Sequence, residues 1–456
     1  MRNPYAPLLQ PGRIGQLDIR NRIIMSPMGS NFAETDGSCG ERIQAYYEAR
    51  AKGGAGLLTM GVCSVAFPHG TGEPFQVGVS HVDFIPGLAQ VAARVHKHGA
   101  KIAMQLQHGG KTAALDRAQG RELWVPSIPK MVKNDMMSAI TREELATFIG
   151  IGPHPVRLRV MDQADIDQMV EYFASAALRA KQAGFDAVEL HGAHTYILAG
   201  FLSAYSNQRD DAYGGPLENR ARFLLEAVRA VRKAVGPAFP VAVKLNSDDF
   251  RKGGFSNEEC LQVVKWLNDE KIDLLEISGG TYEQPRLLGH TGAADSVKDE
   301  QPTQRESTKK REAYFLNYAR AIREVATMPL MVTGGFRSRE AMEEALSDGV
   351  CDVIGLGRPL CTHPDTPKQL MNGKIDRAAN FENMLKLTDK GIFSPVSPVL
   401  PLKLINVLGA QAWYYQQIFR LADGLEAKPS MTLIGAFFKY LYNEWTTAFK
   451  VKRAKS

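Results

Sequence analysis

Between residues 20 and 360 the chain alternates short apolar, β-rich runs with longer segments whose apolar positions recur every three to four residues. The runs are RIIMSPM (22–28), GLLTMGV (56–62), KIAMQLQH (101–108), DAVELH (186–191), VAVKLNS (241–247), DLLEISGG (273–280), PLMVTGG (329–335) and VIGLGR (353–358). Helical patterns such as ERIQAYYEARAKGG, LENRARFLLEAVRAVRKAVG and SREAMEEALSDG separate most of them, and several end in glycine, as helix C-termini often do. Strands that are hydrophobic nearly throughout are buried on both faces, which predicts a parallel sheet. Eight such strands, each followed by a helix, predict an α/β fold closed as a (β/α)8 TIM barrel. An open doubly wound sheet is the alternative, but no GxGxxG follows the first run.

Residues 111–164 form the one long insertion, with WVPSIPKM and PHPVRLRVMD inside it, and are expected to lie over the barrel mouth as a loop or hairpin. The alternation stops near 365. This divides the chain into a barrel, residues 1–365, and a mainly helical extension, residues 366–456. In the extension Leu433, Phe437, Leu441, Trp445 and Phe449 recur every four residues and give an apolar helical stripe. A helix packed on the barrel or on a subunit partner is the expectation. The alternative is an interfacial helix on a membrane surface, with KVKRAKS as its basic end.

Composition narrows the class. The fractions of 44% hydrophobic and 23% charged residues are those of a soluble globular enzyme, and a net charge of +6 over 456 residues does not argue for nucleic acid. Five cysteines (39, 63, 260, 351 and 361) show no CxxC pair, so free thiols in a reducing cytoplasm are expected. The first residues, MRNPYAPLLQPGRIGQLDIRNRI, lack the apolar core of a secretion signal, and no run of about 18 apolar residues predicts a spanning helix. A cytoplasmic enzyme is the expectation.

In such a barrel the chemistry sits where strands end. Those positions are Ser26, Met28, Gly61, Gln105, His108, His191, His194, Lys244, Ser278, Gly335, Gly357 and Arg358. The set is rich in neutral donors and basic groups and has almost no carboxylates. That disfavours a glycosidase, which needs two facing acids, and a hard-cation site, which needs oxygen ligands. It suits an electron-rich planar ligand carrying a phosphate. VTGGFRS and GLGRP offer glycine amides, and Arg358 adds a charge-assisted bond, at the loops where barrels hold phosphate; tight turns alone are the plainer reading of the glycines. Lys244 has three readings: a Schiff-base nucleophile in an aldolase or lyase, a charge that stabilises an anionic ring, or an ion pair with Asp248 or Asp249. His191 and His194 lack a third ligand in HExxH or cysteine spacing, so no metal is expected. Two neutral imidazoles donating to one oxygen form an electrophilic pocket, and Tyr196 would supply a proton; a pair of satisfied core histidines is the other reading.

NRIIMSPM, QLQHGGK, HGAHTYILAGFLSAYSNQRDDAYGGPLENRARF, DLLEISGGTYE and VTGGFRS with GLGRPL carry a resemblance. Over residues 1–365 the chain resembles the old yellow enzyme family of FMN-dependent ene-reductases, especially the branch that includes 2,4-dienoyl-CoA reductase. The resemblance implies FMN as cofactor, NADPH or NADH as reductant, an enone or enoyl compound as substrate, and a homo-oligomer. It implies Ser26, Pro27 and Met28 along the flavin, Gly61 near its ring and Gln105 on the pyrimidine edge. Lys244 stands where most members have Arg, and Gly335, Gly357 and Arg358 would hold the phosphate. His191 and His194 would bind the substrate's carbonyl, with Tyr196 as proton donor. The chain departs from the pattern at Gly29, where many relatives have Cys or Thr. It has no cysteine beyond 361, so the 4Fe–4S centre and nucleotide domains of the dienoyl-CoA branch are not expected.

Overall fold

The computed structural model describes residues 6–73, 75–128, 157–279, 314–395 and 397–453. The first elements are a short antiparallel hairpin, β1 (Gly12–Ile14) and β2 (Leu17–Ile19), turned at Gly15 in left-handed backbone (φ 57°). Eight parallel strands then close a barrel: β3 (Ile23–Met25), β4 (Leu57–Ser64), β5 (Lys101–Gln107), β8 (Ala187–Gly192), β9 (Val241–Asn246), β10 (Leu274–Ser278), β11 (Leu330–Thr333) and β12 (Val353–Leu356), β12 pairing back onto β3. Each lies on one of the eight apolar runs. Apart from Val62 in β4, Lys101 at the start of β5 and Thr333 at the end of β11, every residue of the barrel strands is buried, which is why the runs read as continuous rather than alternating.

Amphipathic helices connect the strands: α1 (Glu41–Lys52), α2 (Ile85–His96), α3 (Gln163–Gln182), α4 (Ile197–Leu202), α5 (Leu217–Val235), α6 (Asn257–Asp269), α7 (Tyr314–Arg323), α8 (Arg339–Ser347) and α9 (Pro359–Thr362). Local sequence starts them. Asp162 with Asp165, and Ser256 with Glu259, close reciprocal capping boxes at α3 and α6. The barrel floor is one apolar layer with a residue from every strand: Ile24, Leu57, Ala103, Ala187, Ala242, Leu274, Met331 and Val353. Ile14 and Ile19 of the N-terminal hairpin plug it from below, a device the repeating pattern did not announce.

One expectation changes. The insertion after β5 holds β6 (Leu123–Val125) and β7 (Leu158–Val160), which pair in parallel, so they are not a hairpin, whose tight turn joins only antiparallel strands. Residues 129–156 of that insertion, and the TYE of DLLEISGGTYE, lie outside the described residues.

Beyond the barrel come α10 (Thr366–Met371), α11 (Leu400–Ala422) and α12 (Leu433–Arg453), the last two packed as a helical hairpin whose α11 arm rests on α1 and α9. Trp413 is the hairpin's anchor, fully buried, its indole N–H donating to the Met431 carbonyl at 3.0 Å. A Cβ at Gly409 would lie 2.9 Å from Leu433 Cγ, so the glycine is what lets the two helices approach. Leu433 and Phe437 of the apolar stripe are buried; the side chains of Trp445 and Phe449 lie outside the described ones. A second row, Ile434, Phe438 and Tyr442, is 47%, 59% and 69% exposed. Among the described residues no helix is long and apolar enough to cross a membrane.

Candidate active site

The fourth barrel strand ends in an unusual turn. After the fully buried β8, His194 (φ 57°) and Thr195 (φ 64°) both adopt left-handed backbone, which costs non-glycine residues about 1–3 kcal/mol each and concentrates at functional sites. The turn gathers three rings: His191 and His194 have centroids 5.2 Å apart, and His191 and Tyr196 4.4 Å. His191 Nδ1 accepts the Ala193 N–H at 3.3 Å, so in the neutral ring the proton sits on Nε2. His194 Nε2 is 2.8 Å from Ser278 Oγ on β10. Burial holds the His191 imidazole well below its ordinary pKa, with His194 and Lys244 adding to the effect; burial and then Lys244 do the same for His194. Both imidazoles are therefore neutral donors at neutral pH.

Beneath this turn lies a polar layer of which the strand-end inventory held only Gln105 and Lys244. Gln105 Nε2 donates to Glu189 Oε1 at 2.7 Å, and Lys244 Nζ donates to Glu276 Oε1 at 2.7 Å, all four groups buried. Burial pushes the Glu189 carboxyl well up, and the adjacent Glu276 carboxylate adds to it, so Glu189 holds a proton beside the Lys244–Glu276 ion pair. The expectation of almost no carboxylates is thus corrected: two acids sit inside the barrel, each on a strand that reads as apolar. Lys244 is ion-paired, as one of its three readings allowed, with Glu276 as the acid. Asp249 is taken by Asn246 (2.8 Å) and Ser203 (2.7 Å). The contact with Glu276 favours a charged lysine over the Schiff-base reading.

At the ends of β11 and β12 the loops turn basic. Gly334 (φ 108°) and Gly335 (φ 82°) occupy backbone that side chains rarely adopt. Arg358 Nη1 lies 3.0 Å from Glu382 Oε1, and Arg337 Nη2 bonds the same oxygen, so two guanidinium groups from adjacent loops converge on one carboxylate. Arg337 was legible only as a letter in VTGGFRS. Glu382 comes from the extension, in a short 3-10 turn (Glu382–Met384).

One cavity of about 320 Å³ collects most of these groups. Pro27, Met28, Gln105, His191, His194, Tyr196, Lys244 and Arg358 all line it. Its other wall comes from the extension: Leu385, Leu408, Gln411, Tyr414, Tyr415 and Ile418. Ser26, Gly61, Gly335 and Gly357 are not among the residues that line it. Ser26 Oγ is 3.0 Å from Thr333 Oγ1, and a Cβ at Gly61 would meet Pro27 Cβ at 2.6 Å, so Gly61 is needed for close packing against β3. Gly357 packs beside Met28 Sδ. His108 faces elsewhere, against Trp124, and its burial pushes the imidazole down to about 3.

Residues 7–377 match the NADH:flavin oxidoreductase / NADH oxidase family. The chain belongs to that family. The NADH oxidase of Thermoanaerobacter brockii is 33% identical over 368 residues, 80% of this chain and 51% of the relative. NADH-dependent flavin oxidoreductase iccE of Talaromyces variabilis is 33% identical over 414 residues, 89% of this chain and 95% of the relative. Among solved structures, a 2-naphthoyl-CoA reductase complex superposes with a TM-score of 0.68 at 27% identity, covering 82% of this chain and 54% of that one. The old yellow enzyme homologue of Zymomonas mobilis gives 0.64 at 26%, covering 82% and 95%. The chain thus spans about half of the first relative and nearly all of the second.

The family's flavin oxidoreductases take FMN as cofactor with NADH or NADPH as reductant. The donor set here fits such a group. Two arginines converging on Glu382 and a left-handed diglycine stand at the loops where barrels usually hold phosphate, and Gln105 and Lys244 line the adjoining cavity.

Proposed function

We propose that this oxidoreductase reduces the activated C=C bond of α,β-unsaturated carbonyl compounds. The observation that carries the reading is the convergence of two neutral imidazoles and a phenol on one cavity that also holds Lys244 and Gln105. Pro27 and Met28, with Ser26 and Gly61 beside them, would flank the FMN ring; Gln105 would bond its pyrimidine edge. Lys244, held by Glu276, would face the edge where negative charge collects on reduction. Gly335, Gly357 and Arg358, joined by Arg337, would hold the phosphate. FMN supplies, when bound, the hydride that NADPH or NADH delivers to the site.

The chain's own residues do the rest. Nε2–H of His191 and the His194 ring donate to the substrate's carbonyl oxygen and draw electron density from the alkene, making Cβ electrophilic. Tyr196, stacked edge-on to His191, gives its hydroxyl proton to Cα as hydride arrives at Cβ. Because the carbonyl is fixed at one point and the proton donor at another, the alkene is presented in one orientation. The cinnamate reductase of Clostridium sporogenes, 30% identical over 83% of this chain, points the same way.

The test is optical. Purified protein carries a flavin spectrum that bleaches with NADPH or NADH without oxygen and returns on adding an enone. A protein that binds no FMN, or whose bleached spectrum is unmoved by enones and returns only with oxygen, overturns the reading.

A further inference from the structure

The extension differs from the barrel in charge. Residues 366–456 hold 13 Lys and Arg against 6 Asp and Glu, a net charge of +7, while the whole chain has 55 against 49, or +6. The barrel, residues 1–365, is left with 42 against 43, or −1. Three of the extension's cations, Lys450, Lys452 and Arg453, fall in the last turn of α12, and Lys455 follows it. Lys439 lies earlier on the same helix and is exposed.

Exposed apolar surface is concentrated in the same place. Of the twelve large hydrophobic side chains that stand exposed among the described residues, seven belong to the extension, which is 91 of the 456 residues. Three of the seven, Ile434, Phe438 and Tyr442, stand four apart on α12 and so form one row along it. The helix meets its packing needs through other positions: Leu433 and Phe437 are buried, and Tyr440 stacks on Tyr415 of α11 with centroids 5.4 Å apart. At its start the row meets a groove of about 340 Å³ lined by Phe381, Met384, Trp413, Met431 and Ile434. Ile434 belongs to both row and groove, and Met384 on the far rim is exposed, so the two make one contiguous apolar surface.

An apolar row and a cluster of cations on one helix answer to an anionic lipid surface. A second copy of the chain would cover the row, but it would bring its own extension, also +7, against this one. A nucleic acid would use the cations and leave the row in water. We propose that α12 docks this oxidoreductase on the surface of an anionic bilayer, with Ile434, Phe438 and Tyr442 entering the headgroup boundary and the basic end of the helix meeting lipid phosphates. Docking of this kind does not depend on which substrate the cavity takes.

The test is flotation of FMN-loaded full-length protein with two kinds of vesicle, phosphatidylcholine alone and phosphatidylcholine with about one third phosphatidylglycerol. Wild type is expected to bind the anionic vesicles about tenfold or more above the neutral ones at low salt, and to release as salt approaches about 0.5 M. The triple variant Ile434→Ser, Phe438→Ser, Tyr442→Ser changes only exposed positions. It should keep its FMN, its Tm and its reduction by NADH or NADPH, yet lose about tenfold or more in vesicle binding. Replacing Lys450, Lys452, Arg453 and Lys455 by Ala should abolish the preference for anionic vesicles. Wild type that ignores anionic vesicles at low salt, or binds both kinds equally, overturns the proposal. So does binding that survives the serine variant, which would mark a site for any polyanion, nucleic acid or acidic protein included. If wild type ignores vesicles and the serine variant turns a dimer into a monomer in sedimentation, a second copy covers the row and the proposal falls.

Discussion

The cavity has two walls built in different ways. One is made by strand ends, where His191, Lys244 and Gln105 are placed by barrel register, Lys244 directly opposite Glu276 and Gln105 opposite Glu189. The other is made by α11 and the turn at Glu382, docked over the mouth through contacts such as Tyr415 with Glu73, 342 positions apart in sequence. The strand wall holds the groups that can polarise and protonate; the extension wall sets depth, polarity and access. On the proposed reading the chemistry falls to the barrel strands and the shape of the substrate space to the docked extension. Substitutions on the two walls should accordingly fail in different ways.

The largest effect is expected on the strand wall. Tyr196→Phe should slow the enone half-reaction by about 10²–10⁴-fold, the range of a positioned acid, while leaving reduction by nicotinamide nearly unchanged. Rapid-mixing measurement of each half separately checks this. An equal fall in both halves would mean that Tyr196 shapes the cavity instead of giving a proton.

Next comes Lys244→Met, which leaves Glu276 buried without its counter-charge. Breaking a buried pair this way costs about 3–5 kcal/mol, read as a lower midpoint in urea denaturation, and FMN retention should fall with it. Lys244→Arg should restore most of both. A Met variant as stable as wild type would show that Glu276 takes up a proton at no cost, and that the pair is no part of the site's scaffold.

These two predictions also mark what could be read from the chain. The eight strands were legible because burial on both faces leaves a run of apolar letters, and His191, His194 and Tyr196 followed because they cap the most distinctive of those runs. Glu189 and Glu276 sit in the same runs but look like interruptions; the available signal is that an acid in the middle of a doubly buried strand must have a partner. The floor hairpin was missed since three-residue strands carry too little pattern. The extension wall was illegible for another reason. Helical periodicity predicts that α11 and α12 exist, but which face meets Glu73 depends on long-range docking that no local pattern encodes.

A smaller effect is expected from loosening the extension wall. At Gly409 a Cβ already meets Leu433, so Gly409→Val should force α11 and α12 apart at a cost of about 1–3 kcal/mol. KM for an enone should rise while kcat changes only a few-fold, because the strand wall is untouched. Titrating the enone against the reduced variant measures this; a large loss in kcat with unchanged KM would place the extension in the chemistry and erase the contrast between the walls.

The smallest expected change is in the pH profile. His191 and His194 are both held well below the ordinary value of 6.5 by burial, so neither gains a proton between about pH 6 and 8. The enone half-reaction with a neutral substrate should therefore be flat across that interval. Stability moves in the opposite sense to that flatness. The unfolded chain binds protons on these imidazoles as pH falls through 6.5, and the folded chain does not, so their contribution is intact above 6.5 and is lost progressively below it. His108, held down to about 3, adds to the same acid loss from outside the cavity. Comparing His108→Gln with His194→Gln separates the two: both should relieve the acid sensitivity of folding, but only the second should slow enone reduction. A His-type inflection near 6.5 in the wild-type rate would instead mean that the strand wall is wetter than its burial implies, and that the imidazoles work in their charged form.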